Sequence, residues 1–204
     1  MVDATTPGVD SKQVKTVGEH WVCAELARRS WAPALTRDGL ARTDILAVST
    51  ALAHRPRIEV QVKTATKAGA RDVNWPLGRA VDQVDHSGFE WFILAVVPAP
   101  PEPLYAYVVP RDHVAAATFL EHQNWRTDPT VLPGRRNAPV SQARASEHVF
   151  ARYRDRWDLL NHPTADIPIL LPQKLLDSAT DERVGLPPGH PWHTRTPLRE
   201  AVAD

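Results

Sequence analysis

Three polar side chains alternate with valines in the short segment Glu59-Val-Gln-Val-Lys63. Side chains two residues apart in a β-strand point to the same face of the sheet. Glu59, Gln61 and Lys63 would therefore share one face, while the valines and the preceding isoleucine face the core. A carboxylate, an amide and an ammonium group in one row are typical either of a solvated face or of a ligand site.

Two further acids could join this row. Asp44 directly precedes the apolar run Ile-Leu-Ala-Val, and a hairpin between that run and the 57–66 segment would bring Asp44 close, although the register is not determined by the sequence. Glu19 falls on a helical stripe with Val22 and Leu26. A buried, unpaired carboxylate is costly, so Glu19 either lies near a helix start, where glutamate is favoured, or points at a cation.

Together these groups predict metal chemistry. Carboxylate and amide oxygens are hard ligands suited to Mg²⁺ or Mn²⁺. Hydrolysis of a phosphodiester needs a cation that polarises the phosphoryl oxygen, a nucleophilic water and a positive group nearby. Lys63 would supply that positive group.

The elements that must position these residues form a mixed α/β pattern. Apolar spacing predicts a helix over 12–30, capped by Ser11, and a helix from 111 to about 120 with Asp112 as a possible cap. A short helix is expected around 79–84. Strands are predicted over 32–36, 43–50, 57–66, 90–97 and 104–109.

The chain is therefore expected to divide into three parts: a flexible tail (1–11), a core (12–120) and an irregular C-terminal extension (121–204). Within the extension, Ser146 to Leu160 has the spacing of an α-helix, and many prolines follow it. The aromatic residues of the extension need apolar contacts, so we expect it to pack on the core.

Composition limits the class of protein. The chain has 204 residues, of which 43% are hydrophobic, and 24 Lys and Arg balance 24 Asp and Glu. Cys23 is the single cysteine, which excludes an intrachain disulfide and a multi-cysteine metal site. No apolar run approaches the ~20 residues of a membrane span, and the N-terminus does not resemble a signal peptide. We expect a soluble, cytoplasmic protein with no membrane partner.

Charge is uneven along the chain. Residues 51–80 hold six Lys or Arg against two acidic residues, and residues 126–156 hold seven Arg against three acidic residues. If these segments converge on one face, they would attract an anionic ligand. Ordinary solvated surface is the alternative.

The motifs and their order resemble the PD-(D/E)xK nuclease superfamily over residues 12–115. The matching segments are Gly18-Glu19, Thr43-Asp44-Ile45, Val60-Gln-Val-Lys63-Thr64, Trp75-Pro-Leu77, Phe92-Ile-Leu-Ala-Val-Val97 and Tyr105-Ala-Tyr-Val-Val-Pro110. Within the superfamily, the sequence is most similar to the small bacterial and archaeal nuclease-like proteins. Holliday-junction resolvases and restriction endonucleases would be distant relatives.

The resemblance implies a restriction-endonuclease-like core, a mixed central β-sheet flanked by helices, and Mg²⁺- or Mn²⁺-dependent cleavage of DNA. Asp44 would be the main metal ligand, Lys63 the catalytic lysine and Glu19 the helix-borne acid. The superfamily's second acid is replaced by Gln61, which brings no charge and should lower metal affinity. Glu59, two residues earlier on the same face, could compensate as a ligand.

Six residues are candidate DNA contacts: Lys67, Arg71, Trp75, Arg79, Arg135 and Arg136. Trp75 could stack on a base or pack against the sheet. A homodimer is possible, as among relatives that cut both strands. Two alternatives to a nuclease stay open: a nuclease-like protein that binds nucleic acid without cutting, and a scaffold subunit of a larger bacterial system with the C-terminal 40 residues as a docking arm.

Two other features are weaker. His190-Pro-Trp-His193 has no helical spacing and no evident third ligand, so a surface loop is favoured over a zinc site. Cys23 lies on the predicted apolar helix face, which favours a packed thiol over a nucleophile.

Overall fold

A computed structural model of the chain describes residues 10–36, 40–132 and 134–194. Its helices are α1 (Ser11–Ala27), α2 (Arg111–Arg126) and α3 (Gln173–Ala179). Its strands are β1 (Trp31–Leu35), β2 (Ile45–Ser49), β3 (Arg57–Lys67), β4 (Asn74–Pro76), β5 (Glu90–Pro98), β6 (Tyr105–Pro110) and β7 (Arg144–Ser146). Short 3-10 segments occupy Gly78–Ala80, Val140–Gln142, Glu147–Tyr153, Trp157–Asn161, Thr164–Asp166 and Pro191–His193.

The main sheet has five strands in the order β1-β2-β3-β5-β6. Antiparallel pairs join β1 to β2, β2 to β3 and β5 to β6, whereas β3 and β5 run parallel. A parallel pair needs a crossover, and the chain between β3 and β5 makes it through β4 and the Gly78–Ala80 turn. The expected mixed α/β fold, with a central mixed sheet flanked by helices, is confirmed.

Each face of the sheet is covered by a different helix. Along β3 the alternation is as predicted, with Ile58, Val60 and Val62 buried and the polar row half-buried. Helix α1 packs on the apolar side, where a Cβ on Gly18 would lie 2.0 Å from the Thr64 Oγ1 atom. A larger residue at this position would therefore require Thr64 or the helix to move. Helix α2 begins over the opposite face, above β5, whose residues from Trp91 to Val96 are all apolar and buried.

Both long helices begin differently from the expectation. The N-cap of α1 is Asp10, not Ser11, and it forms a capping box with Gln13. The N-cap of α2 is Pro110, while Asp112 lies in the first turn, and the helix continues to Arg126 rather than ending near residue 120. Residues 1–9 of the predicted tail lie outside the described residues.

The α-helix predicted over Ser146 to Leu160 is wrong. This segment forms two 3-10 stretches separated at Asp155, whose φ of 53° ends the first one. The Asp155 N–H donates to the Ala106 carbonyl at 2.8 Å. Pairing with the edge of β6 therefore replaces the regular helix that the apolar spacing indicated.

Other differences concern very short elements. The sequence did not predict the two-stranded sheet of β4 and β7 or the helix α3. The helix expected around 79–84 is a single 3-10 turn, Gly78–Ala80. In the described ranges, no helix combines the length and apolar character that crossing a bilayer requires.

The extension contacts both sides of the core through its aromatic residues. Trp157 packs edge-on against Trp21 of α1, with ring centroids 6.0 Å apart. Trp192 lies 5.1 Å from the ring of His113 in α2. These contacts join the C-terminal segments to one continuous hydrophobic core.

Candidate active site

The candidate site lies beside the first residue of β2. From this point on, β3 continues with no described strand next to it on the β2 side. Ile45 pairs with Val60, which confirms the predicted hairpin. Asp44, just before β2, donates its N–H to the Val60 carbonyl at 2.8 Å, and its Oδ2 accepts from the Val62 N–H at 2.8 Å. The carboxylate thus replaces the next backbone bond of the ladder and is held in one orientation.

Lys63, the residue that follows Val62 in β3, is half-buried. Burial lowers the pKa of its ammonium group, and the carboxylates of Asp44 and Glu19 oppose that shift. Lys15 and Arg111 lower the pKa of Lys63 further. The charges of Asp44 and Glu19 therefore both act on Lys63.

Helix α1 supplies Glu19 from above the sheet. Its Oε1 lies 3.4 Å from the Lys15 Nζ atom one turn earlier, and its side chain is 17% exposed. Val22 and Leu26, which share its helical stripe, are fully buried. The apolar stripe therefore fixes the helix, and the less buried Glu19 lies at the margin of that stripe.

Gln61 faces a buried cation. Its Oε1 lies 3.5 Å from Nη1 of Arg111, whose side chain has no exposed surface. The Arg111 Nε is 2.8 Å from Oε2 of Glu90, and its Nη2 donates to the Arg42 carbonyl at 2.8 Å. A neutral amide at position 61 is compatible with a guanidinium that already has a carboxylate partner.

Arg111, Glu90 and Arg42 are supporting residues that the sequence did not reveal. Arg42 Nη2 reaches Glu90 Oε2 at 2.8 Å, so two guanidinium groups neutralise one carboxylate. Burial lowers the pKa of Arg111, and Glu90 opposes that shift. One feature of the sequence did point to such a partner: Glu90 is the first residue of a strand that is otherwise apolar. A carboxylate in that position needs a buried partner. Nothing in the sequence identified which cation that partner would be.

Glu59 lies at the outer end of the row. Its Oε2 accepts a hydrogen bond from the Thr43 hydroxyl at 3.1 Å. Glu59 lies two residues from Gln61 along β3, which corresponds to a distance of ~7 Å. Glu59 is thus the more peripheral of the predicted metal ligands, whereas Asp44 and Glu19 act on the same lysine.

The donor set was compared with the needs of a divalent cation. Among the described residues, no three His, Cys, Asp or Glu side chains are grouped so that they could hold a metal. Asp44, Glu19 and the Gln61 amide oxygen offer two carboxylates and one neutral donor. Mg²⁺ commonly binds through one or two carboxylates, with water and substrate phosphate completing its shell. These oxygen types are the ones that such a cation binds, although the described part of the chain groups no three acidic side chains around one position.

Two of the candidate DNA contacts are engaged inside the protein. Lys67 Nζ forms an ion pair with Glu147 Oε2 at 2.7 Å. Trp75 is fully buried and packs edge-on against Tyr107 and Phe150. Stacking of Trp75 on a base is therefore the wrong interpretation, and the alternative of packing against the sheet is correct.

The other four candidates lie on the surface. Arg71, Arg79 and Arg135 are exposed, and within 10–36, 40–132 and 134–194 none of them has an ion pair. Arg136 is bound to Asp128 at 3.1 Å and lies over the Trp125 ring. Their contact with DNA stays a prediction.

Of the two histidines near the C-terminus, His193 is exposed, as expected of a surface loop, whereas His190 is buried. His190 is 2% exposed, its Nε2 lies 2.9 Å from the Asp112 carbonyl, and its Nδ1 accepts from the Trp192 N–H. With both ring nitrogens engaged, His190 has no free nitrogen for zinc. Cys23 is half-buried, and burial together with Glu19 raises the pKa of its thiol, which agrees with a packed thiol.

Comparisons with protein-family models, with curated proteins and with solved structures found no match to this chain. The chemistry of the site must therefore be inferred from its own residues. Asp44 holds a fixed carboxylate at the unpaired stretch of β3, and its charge and that of Glu19 both act on the half-buried Lys63.

Proposed function

We propose that the chain is a metal-dependent DNA endonuclease of the PD-(D/E)xK type that hydrolyses phosphodiester bonds and acts in the cytoplasm. The observation that carries the proposal is the Asp44 carboxylate, oriented by the Val62 N–H and acting on the Lys63 ammonium. The mixed sheet with α1 on one face provides the framework on which such a site would be built.

Asp44 and Glu19 would hold Mg²⁺ or Mn²⁺, with the Gln61 oxygen as a weaker donor. When bound, the cation polarises a phosphoryl oxygen of the DNA. Lys63 would orient a water and stabilise negative charge on the phosphate. Because Lys63 is half-buried, its charge is less screened than that of a surface lysine, which strengthens its attraction for a phosphate.

The test is cleavage of supercoiled plasmid, linear duplex, branched DNA and single-stranded DNA with Mg²⁺ or Mn²⁺. The wild type is compared with Asp44→Asn and with Asp166→Asn, a matched change at an exposed acid of the extension. We expect metal-dependent cutting that Asp44→Asn abolishes and Asp166→Asn leaves intact. Equal cutting by the two variants would contradict the assignment of the site.

A second function is favoured by one contact. The Gln61 oxygen already faces the buried Arg111 cation, which reduces the negative potential available to a metal. A nuclease-like protein that binds nucleic acid without cutting it would tolerate this arrangement. It would show salt-sensitive binding of DNA and no metal-dependent product.

A further inference from the structure

A groove of about 740 Å³ opens beside the outer end of the polar row. One wall is the loop between β2 and β3, and the other is formed by the 87–89 turn and the 161–163 segment. Its volume lies within the ~300–1,000 Å³ typical of ligand sites. The proposed function assigns no role to this groove.

The first wall is cationic. His54, Arg55 and Arg57 are exposed and line the groove. In the part of the chain that the structure describes, neither arginine has an ion pair or a side-chain hydrogen bond. In this they resemble the exposed Arg71, Arg79 and Arg135 and differ from Arg28, Arg136 and Arg156, which are paired. The two groove arginines therefore keep their charge for an external anion.

The floor of the groove is apolar. Leu46 is 43% exposed there, beside Val48 and the half-buried ring of Phe89. An apolar floor below two unpaired guanidinium groups suits a ligand that carries both flat apolar surface and negative charge. Nucleotides of a single strand have both, because their bases are unstacked and their phosphates are accessible. In a duplex the base faces are hidden by stacking.

The walls are held in place without a ligand. The Thr164 N–H donates to the Gly88 carbonyl at 2.8 Å, and the Thr164 hydroxyl bonds to Asp85, which ties the extension to the 85–89 turn. On the other side, the Arg55 N–H donates to the Leu52 carbonyl at 2.9 Å. A site built from fixed walls loses little ordering entropy on binding.

The groove leads toward the candidate active site. Glu59 lines it and belongs to the same row as Gln61 and Lys63. Since two residues of a strand span ~7 Å, the inner end of the groove is about one nucleotide step from Gln61. A strand lying in the groove could thus continue across the site.

We propose that this groove binds a single-stranded nucleic acid segment, with its phosphates on Arg55 and Arg57 and a base against Leu46 and Phe89. The segment would be the flank of the strand that is cut, so the substrate would be DNA with an unpaired region next to the scissile bond. This last step rests on the proposed function, whereas binding by the groove does not.

The test is fluorescence anisotropy with a labelled 12-nucleotide single strand, in EDTA so that no cutting occurs. The competitor probes are a blunt duplex of the same sequence and an RNA strand. We expect the single strand to bind at least about tenfold more tightly than the duplex. Arg57→Ala and Arg55→Ala should each weaken binding by about fivefold and lower the salt slope by roughly 0.7. Arg152→Ala, the same change at an exposed arginine of the extension, should have no effect.

The floor is tested by Leu46→Ser, which alters an exposed side chain and should weaken single-strand binding by about fivefold. Circular dichroism verifies the fold of each variant. Equal affinity for duplex and single strand, or equal effects of Arg57→Ala and Arg152→Ala, would overturn the proposal. Binding that meets these expectations in a protein that cuts no DNA would uphold the groove and reject the nuclease. Cutting that depends on Asp44 while Arg57→Ala binds normally would do the reverse.

Discussion

Two lysines four residues apart on one face of β3 lie in opposite environments. Lys67 Nζ is bound to Glu147 at 2.7 Å, and this hydrogen bond raises the pKa of Lys67. Lys63 is desolvated with weaker compensation, and burial lowers its pKa. The same residue type on the same strand therefore has its pKa lowered by burial at one position and raised by a carboxylate at the other.

At Glu147 every carboxylate oxygen is satisfied. Tyr105 and Tyr107 donate to Oε1 at 2.6 and 2.7 Å, while Lys67 and the Val73 N–H donate to Oε2. Burial alone would raise the pKa of Glu147, but these hydrogen bonds outweigh it and lower the pKa to about 2. The cluster has no capacity for a ligand and ties the C-terminal extension to β3 and β6.

At Asp44 one oxygen is engaged by a backbone N–H. Among the described residues, the Glu19 side chain has one ion pair, the long contact to Lys15, and the Gln61 side chain has the long contact to Arg111. The carboxylates of this cluster therefore keep oxygen lone pairs that could bind a ligand. The cluster also contains Lys63, whose burial is not fully compensated by neighbouring acids. The comparison teaches that a saturated acid–lysine cluster stabilises the fold, whereas an unsaturated one can bind a ligand.

The largest expected effect is the loss of the saturated cluster. Glu147→Ala leaves two tyrosine hydroxyls, a backbone N–H and Lys67 without their acceptor. Removing one partner of a buried pair costs about 3–5 kcal/mol, and we expect that decrease in the free energy of unfolding. Urea denaturation followed by tryptophan fluorescence measures it.

The matched control is Glu19→Ala in the unsaturated cluster. We expect a change in the free energy of unfolding within about 1 kcal/mol, since its contact with Lys15 is long and near the surface. If both alanine variants lost the same stability, the distinction between the two clusters would be wrong.

The second prediction is that replacing Lys63 lowers activity and replacing Lys67 lowers stability. Lys63→Met should lower cleavage by about 10²–10³-fold, the usual loss when one electrostatic contact to the reacting group is removed. Its urea midpoint should be unchanged or slightly higher, because burial already disfavours the charge. Lys67→Met should unfold more easily, while its folded fraction cuts normally.

Single-turnover cleavage and urea denaturation of both variants provide the comparison. Two methionine variants that lose activity and stability in parallel would mean that β3 forms one structural network. A loss of activity confined to Lys67→Met would place the chemistry at the Lys67 end of β3 and would contradict the proposed site.

The sequence predicted the elements that depend on local patterns. The alternation along 57–66 correctly identified β3 and its polar face, and Asp44 was correctly placed beside that face. Both follow from the two-residue period of a strand and from a short hairpin connection. In contrast, the role of Arg111 depends on a contact with Glu90 that spans twenty residues and a strand reversal, and no local pattern encodes it.

The failures in the extension have the same origin. The spacing of Val149, Phe150, Tyr153 and Trp157 indicated an α-helix, and all four are indeed buried. Their burial is achieved by 3-10 segments because Asp155 turns the backbone toward β6. Similarly, no local pattern singles out Glu147, because its partners come from three distant segments of the chain.

A third, smaller effect concerns pH and the saturated cluster. Glu147 has a pKa of about 2 in the folded protein, below the value of about 4.5 for a free glutamate. Its contribution is thus complete above about pH 4.5 and is lost as the pH falls toward 2. Over that range the free energy of unfolding should fall more steeply for wild type than for Glu147→Gln, by at most about 1.4 kcal/mol per pH unit.

Urea midpoints at half-unit intervals between pH 2 and pH 6 measure this difference. The comparison with Glu147→Gln removes the titration of all other acids, which the two proteins share. Parallel curves would mean that the Glu147 pKa is not lowered and that the cluster is not saturated.

The smallest effect is expected from adding an acid to the unsaturated cluster. Gln61→Glu places a third carboxylate beside Asp44 and Glu19, and ligand charge is a main determinant of affinity for hard cations. We expect Mn²⁺ to bind on the order of tenfold more tightly, as measured by isothermal titration calorimetry. The gain is limited because Arg111, 3.5 Å from Gln61, attracts the new carboxylate away from the metal position.

Gln83→Glu is the matched control, since it adds the same charge beside the same Arg111 nitrogen: Arg111 Nη1 lies 3.2 Å from the Gln83 Oε1 atom. If only Gln61→Glu strengthens Mn²⁺ binding, position 61 itself contacts the cation. If both variants strengthen it equally, the effect is neutralisation of Arg111, and the amide of Gln61 is a partner of that guanidinium rather than a metal ligand. If Gln61→Glu cuts DNA and the wild type does not, the glutamine is what distinguishes a binding protein from a nuclease on the same framework.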